Sequence, residues 1–242
     1  MRNNTIIVFD LETSSNKVAE TEIVQIAAMA MNPATLEPIP NARFESLMRP
    51  LDWDKVEDQA LAVNKKTREE LADAPHPEEV WDRFLTWTRF WKLGASTSKY
   101  VLPDAAGHNI INFDLPIMER YCRKYGTVRT ESNGEVRPNL FSPMGCYDTL
   151  NLLNYWMEDL PDGNKLSLDY WRKHLGMPKE SLEKGHDAMQ DVKDTFWILQ
   201  RLLKLSRRVG KNIVWKDAFD HEKAQAEVER RKAVKKKEFS RR

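Results

Sequence analysis

The chain has 242 residues, 41% hydrophobic and 10% aromatic, enough to bury a proper core and to fit one α/β domain with an extension better than two compact domains. Its net charge of +1 hides an uneven distribution, because residues 221–242 hold nine Lys or Arg against four Glu and leave residues 1–220 at about −4. That balance excludes whole-molecule attraction to nucleic acid, so any such binding would come from local basic groups, from cations that offset carboxylates, or from the tail.

The opening Met-Arg-Asn-Asn leads directly into a strand. Residues 5–9 form a β-branched apolar run ending at Asp10, and residues 23–31 form a second, closed by Asn32-Pro33. Residues 44–48, ahead of Arg49-Pro50, form a third, and the three read as the opening antiparallel strands of a mixed sheet. From Glu57 the pattern turns helical, with segments at 59–63, 67–71 and 77–91. The last carries Val80, Trp81, Phe84, Leu85, Trp87 and Trp91 and reads as a core helix. Residues 115–125 have helical period and stop at Gly126. Residues 127–144, with Asn133-Gly134 and two prolines, read as an exposed loop or hairpin.

Residues 146–150 are expected as a strand and 166–175 as an amphipathic helix stopped by Gly176. Residues 187–205 make the longest periodic helix, opened by a capping box between Asp187 and Gln190. Beyond Val214 the chain is charged, with Lys235-Lys236-Lys237 near its end, so we expect one domain over residues 1–210 and a basic helical tail over 211–242. With cysteine only at Cys122 and Cys146, no apolar run of membrane-spanning length and no signal-peptide pattern, the reading is a reduced cytoplasmic protein that does not engage a membrane.

Three short motifs can carry chemistry. In Asp10-Leu11-Glu12, strand alternation sends Asp10 and Glu12 to one face and Leu11 to the other, and two carboxylates one strand repeat apart can share a hard cation. Alone the pattern is cheap: about one Asp-x-Glu is expected by chance in a chain of this size. The second motif runs from Gly107-His108-Asn109 to Phe113-Asp114, and the third is His186-Asp187-Ala188-Met189-Gln190-Asp191 at a helix start. Each has a structural reading as well. Asp114 would cap the next helix, Asp191 would meet the positive end of a helix dipole, and His186 would be an ordinary loop histidine.

In combination and in order, Phe9-Asp10-Leu11-Glu12-Thr13, His108-Asn109 with Phe113-Asp114, and His186-x-Ala188-x-x-Asp191 resemble the three exonuclease motifs of the DEDDh branch of the DnaQ-like exonucleases. Ala60-Leu61-Ala62-Val63 with Thr67 resembles that family's substrate-side segment, and Asp148-Thr149-Leu150 its Asp-Thr strand. The similarity runs from about Thr5 to Leu203. Three departures stand out: the spacing from Asn109 to Phe113 is one residue longer than the commonest family form, Asn64 stands where many members have His, and Ser14-Ser15 replaces the frequent Thr-Gly. None removes a carboxylate. The long second motif with His186-Asp187-Ala188-Met189 is similar to the bacterial exonuclease I type.

The resemblance implies an RNase H-like α/β fold, a mixed five-stranded sheet flanked by helices, and a metal-dependent 3′–5′ exonuclease acting on single-stranded DNA in proofreading, repair or degradation. It implies two Mg²⁺ or Mn²⁺ ions, roughly 3.5–4 Å apart in such sites. Asp10 would bridge them, Glu12 and Asp191 would complete the ion on the nucleophile side, and Asp114 would hold the ion on the leaving-group side. His186 would be the general base, a role suited to a side chain that titrates near neutral pH. Leu11 and Thr13 would meet the terminal nucleotide, Val63 and Asn64 would recognise the chain end, and Phe113 would pack on base or sugar, although it reads equally as a core side chain. The partner implied is a single-stranded DNA 3′ end; apart from the resemblance, Arg230-Arg231-Lys232 and Lys235-Lys236-Lys237 read either as a solvated face or as a tail that raises affinity for longer strands or docks a replication or repair protein. An RNA exonuclease of the same family is the second reading, and a silent scaffold binding replication proteins the third.

Overall fold

The computed structural model describes residues 4–91, 101–156, 167–183 and 185–213. The apolar runs form strands β1 (Ile6–Thr13), β2 (Ile23–Met31) and β3 (Pro38–Leu47), followed by a 3₁₀ turn at Trp53–Lys55. Helices α1 (Asp58–Val63), α2 (Arg68–Ala72) and α3 (Pro77–Phe90) come next. Then come β4 (Asp104–Gly107), α4 (Asp114–Lys124), the hairpin strands β5 (Val128–Thr130) and β6 (Val136–Pro138), and β7 (Cys146–Asp148). The series closes with α5 (Thr149–Trp156), α6 (Leu168–His174), α7 (Lys179–Glu183) and α8 (Ala188–Asn212).

The main sheet has the order β3-β2-β1-β4-β7. Its first three strands are antiparallel and β4 and β7 run parallel to β1, the mixed five-stranded sheet the sequence predicts. Both faces are covered, which is why β2 is buried at all nine positions and its sequence shows no alternation. Edge strand β3 does alternate, with Ala42, Phe44 and Ser46 turned in.

β1 divides its side chains between two sides. Ile7, Phe9 and Leu11 enter the main core with Trp81 and Phe84 of α3 and Ile117, Met118 and Tyr121 of α4. The alternate set, Val8, Asp10 and Glu12, therefore faces the other side. Gly107 lets β4 turn sharply into the second motif, since a β-carbon there would stand 2.0 Å from Ile110 Cγ2.

Several elements differ from expectation. β1 runs on through Glu12 to Thr13 because pairing with β2 continues past the apolar run. The segment 146–150 is a strand only to Asp148: that carboxylate accepts from Leu150 N at 3.0 Å and α5 begins at Thr149. The segment 127–144 is a hairpin, but it is not wholly exposed, since Thr127 and Leu140 are buried and Phe141 stacks on Phe9 at 5.2 Å. It lies on the core side of β1, opposite Asp10 and Glu12. α8 runs seven residues beyond the expected end at Leu205, and Asp187 does cap it, accepting from Gln190 N at 3.0 Å.

The chain divides into two units, residues 1–202 and 203–242. Of the second, residues 203–212 are the last turns of α8, and the predicted basic tail beyond Ile213 lies outside the described residues. Cys122 is buried and Cys146 exposed, both free. Among the described residues no helix is long and apolar enough to cross a membrane.

Candidate active site

The outward carboxylates of β1 meet the first turn of α8. Carboxylate oxygens of Asp10, Glu12 and Asp191 all lie within 4.8 Å of one another. Asp114 joins them from α4, where it is the first helical residue but does not cap the helix; its Oδ1 accepts from Leu11 N at 3.2 Å, between the two β1 acids. The loop before it is held by Asp148, which accepts from Asn109 N at 2.9 Å and Ile111 N at 3.1 Å. Thr149 adds bonds to His108 Nδ1 and to Gly107 O. The Asp-Thr pair thus locks the second motif in place, a role that its sequence position does not reveal.

Crowding four acids is costly, because burial and mutual repulsion disfavour their charged forms. Burial, then repulsion from Asp191, Glu12 and Asp114, pushes the Asp10 carboxyl well above the ordinary range. Burial and the Asp191 charge raise Glu12 to about 8, with Lys66 opposing. Burial raises Asp114 to about 7 against the lowering effect of its backbone hydrogen bonds. Asp191 is raised by burial in spite of Arg172. Such a set of oxygen donors suits a hard divalent cation, which would remove the repulsion that these groups otherwise suffer.

Arg172, fully buried on α6, is the counter-charge to this cluster. Its Nη2 donates to Asp191, its Nε to Asp194 Oδ2 at 2.7 Å and its Nη1 to Asp169 Oδ1 at 2.6 Å. Asp169 Oδ2 in turn lies 3.3 Å from His186 Nε2. His186 is 48% exposed, sits at φ 62°, and is linked to Asp191 through Asp169 and Arg172. Sequence reasoning missed Arg172, Asp169 and Asp194. The one signal was Arg172 itself, four residues from Leu168 on the apolar side of an amphipathic helix where a basic residue is out of place.

Beside the acids lies a cavity of about 240 Å³ lined by Thr13, Val63, Asn64 and Phe113, together with Ser15 and Glu57. Asn64 is buried and its Nδ2 donates to Thr13 O at 2.9 Å, fixing α1 to the end of β1. Phe113 both packs on the core and lines the cavity. Leu11 is separate from these four: its side chain is buried in the main core.

The exonuclease family model, of the RNase T type, matches residues 7–199, a span that holds every one of these residues. The chain belongs to the exonuclease family. Its fold is the RNase H-like fold of the DnaQ-like 3′–5′ exonucleases. The crystal structure of cell-death related nuclease 4 (CRN-4) is similar, with TM-score 0.58 and 14% identity over 83% of this chain and 64% of that one. E. coli exonuclease I in complex with a dT13 oligonucleotide has TM-score 0.62 and 16% identity, covering 92% of this chain and 45% of its own. A moderately thermophilic exonuclease I from Methylocaldum szegediense has TM-score 0.60 and 17% identity, covering 88% and 43%. This chain therefore spans under two thirds of each of these proteins. No curated protein sequence matches it.

Proposed function

We propose that the chain is a metal-dependent 3′–5′ exonuclease that releases nucleoside 5′-monophosphates from single-stranded DNA. The observation that carries this reading is the meeting of acids from β1, α4 and α8 beside a cavity that opens between α1, the end of β1 and Phe113. The oligonucleotide held by E. coli exonuclease I supports single-stranded DNA as substrate.

Asp10, Glu12 and Asp191, with Asp114, would hold two Mg²⁺ or Mn²⁺ ions, which when bound supply charge relief on the scissile phosphate and lower the cost of deprotonating water. The protein's own part is to position. Thr13, Val63 and Asn64 frame the terminal nucleotide, and the Phe113 ring offers a face on which any base can stack. Leu11 contributes through its backbone, whose N–H orients Asp114. His186 takes the proton of the attacking water at a ring nitrogen, and Asp169, beside Nε2, stabilises the imidazolium that results. The basic tail would add phosphate contacts to longer strands or dock a replication or repair protein.

Single strands labelled at either end provide the test. A 3′ label should leave at once as a mononucleotide, a 5′ label should yield a descending ladder, and EDTA should stop both; release from the 5′ end, or none, would reject the reading. Running the same assay on RNA measures sugar preference. In His186→Ala, turnover should fall roughly 10²–10⁴-fold, with DNA and metal binding kept. Near-normal turnover in that variant would remove His186 from the mechanism.

A further inference from the structure

Lys65 ties the turn between α1 and α2 to the segment that carries His186. Its Nζ donates to Gly185 O at 2.7 Å and to Glu183 O at 3.2 Å, across 120 residues of sequence in the first case. It does so from a backbone φ of 55°, in the left-handed region where a side chain is disfavoured. A long, exposed side chain held at two acceptors also gives up rotamer freedom. Strain of this kind persists where the surrounding structure enforces it, and it clusters at functional sites.

The neighbours of Lys65 give the contact its meaning. Val63 and Asn64, two and one positions ahead, line the cavity beside the acids, and Asn64 is bonded to the end of β1. Gly185, one of the two acceptors, immediately precedes His186, itself at φ 62°. On its other side the same segment is boxed in, since a β-carbon on Gly185 would come within 3.0 Å of Arg172 Nη1 and Asp169 Oδ1. A single turn therefore supplies a wall of the cavity through residues 63 and 64 and a latch on the His186 segment through residue 65.

We infer that Lys65 is a positioning residue: it fixes the His186 segment relative to the cavity, so that seating the strand end and placing the base become one event. The inference rests on the exonuclease reading above. Two of the three ammonium N–H donors are spent on protein carbonyls, which sets this role apart from that of a lysine kept for substrate phosphate.

The test compares wild type with Lys65→Gly and Lys65→Arg. Glycine removes the latch and relieves the backbone at φ 55°, so its melting temperature should not fall. Its kcat should drop roughly 10- to 100-fold, the scale of a displaced catalytic group, with KM within about twofold of wild type. Lys65→Arg, which keeps charged donors at similar reach, should recover most of the loss. Hydrogen exchange at the amides of residues 185–187 should quicken in Lys65→Gly alone. A raised KM at unchanged kcat would overturn the inference in favour of a phosphate contact. Unchanged exchange would overturn it whether or not the wild type cleaves DNA, whereas failure of the exonuclease reading shows separately, as a wild type that releases nothing from a 3′ label.

Discussion

Replacing Asp10 by Asn should abolish most turnover while making the metal-free protein more stable. The loss follows from taking away a carboxylate whose oxygen lies within 4.8 Å of those of Glu12 and Asp191; removing one preorganised electrostatic group from an active site costs about 10²–10³ in rate. The gain follows from the repulsion the same group suffers. Burial and three neighbouring acids hold Asp10 above its ordinary range, so a neutral amide of the same shape relieves a strained charge.

The pH dependence has a definite sign. Burial and the Asp191 charge raise the Glu12 carboxyl from the ordinary 4.5 of an unfolded chain to about 8 in the folded one, and burial raises Asp114 from 3.8 to about 7. Between those limits the folded state holds more protons than the unfolded one, so stability falls as pH rises through the window. Thermal melts in EDTA should therefore show Asp10→Asn above wild type by a margin that widens from pH 5 to pH 8, at roughly 2–4 °C per kcal/mol. Adding Mg²⁺ should reverse the order, because a bound cation stabilises the folded wild type and the variant has lost a ligand. A variant that melts below wild type in EDTA at pH 8 would show that the four acids do not repel as described.

Arg172→Ala should be the most destabilising single change in the site. The guanidinium is fully buried and bonded to three carboxylates, of which Asp191 and Asp194 are themselves buried. Deleting it strands two charges in a low-dielectric interior, a loss of about 3–5 kcal/mol, or roughly 10 °C in melting temperature for a chain of this size. Turnover should fall as well, since Asp191 loses the donor that orients it. Lysine cannot serve three acceptors with a rigid fork, so Arg172→Lys should recover only part of the loss. Pairing Arg172→Ala with Asp194→Asn should cost less than the two separate losses combined, because the second change removes one of the stranded charges. Strict additivity in melting experiments would mean that the ion pair contributes nothing to the fold.

Much of this was readable from residue order. Strand 5–9, the alternation that puts Asp10 and Glu12 on one face, the Trp-rich helix and the Asp187 cap depend on interactions within a few residues, and local pattern records those. The strand expected over 146–150 ends two residues early, because a run this short carries no period that separates strand from helix; the Asp148 carboxylate decides the boundary and α5 begins at Thr149. The turn signals of residues 127–144 point to solvent, yet Phe141 is drawn under β1 by stacking on Phe9.

The sequence by itself determined the kind of site: which acids are available, on which faces of their own elements they stand, and in what order they come. Only the tertiary structure decided what holds them. Arg172 reaches Asp191 across 19 residues, Leu11 reaches Asp114 across 103 and Lys65 reaches Gly185 across 120. The physical reason is that periodicity reports how a residue sits on its own helix or strand, whereas an ion pair or a latch depends on the sheet order and helix docking that bring two distant segments together. A buried arginine among acids and a solvated one on a helix surface are spelled alike, and packing is what separates them.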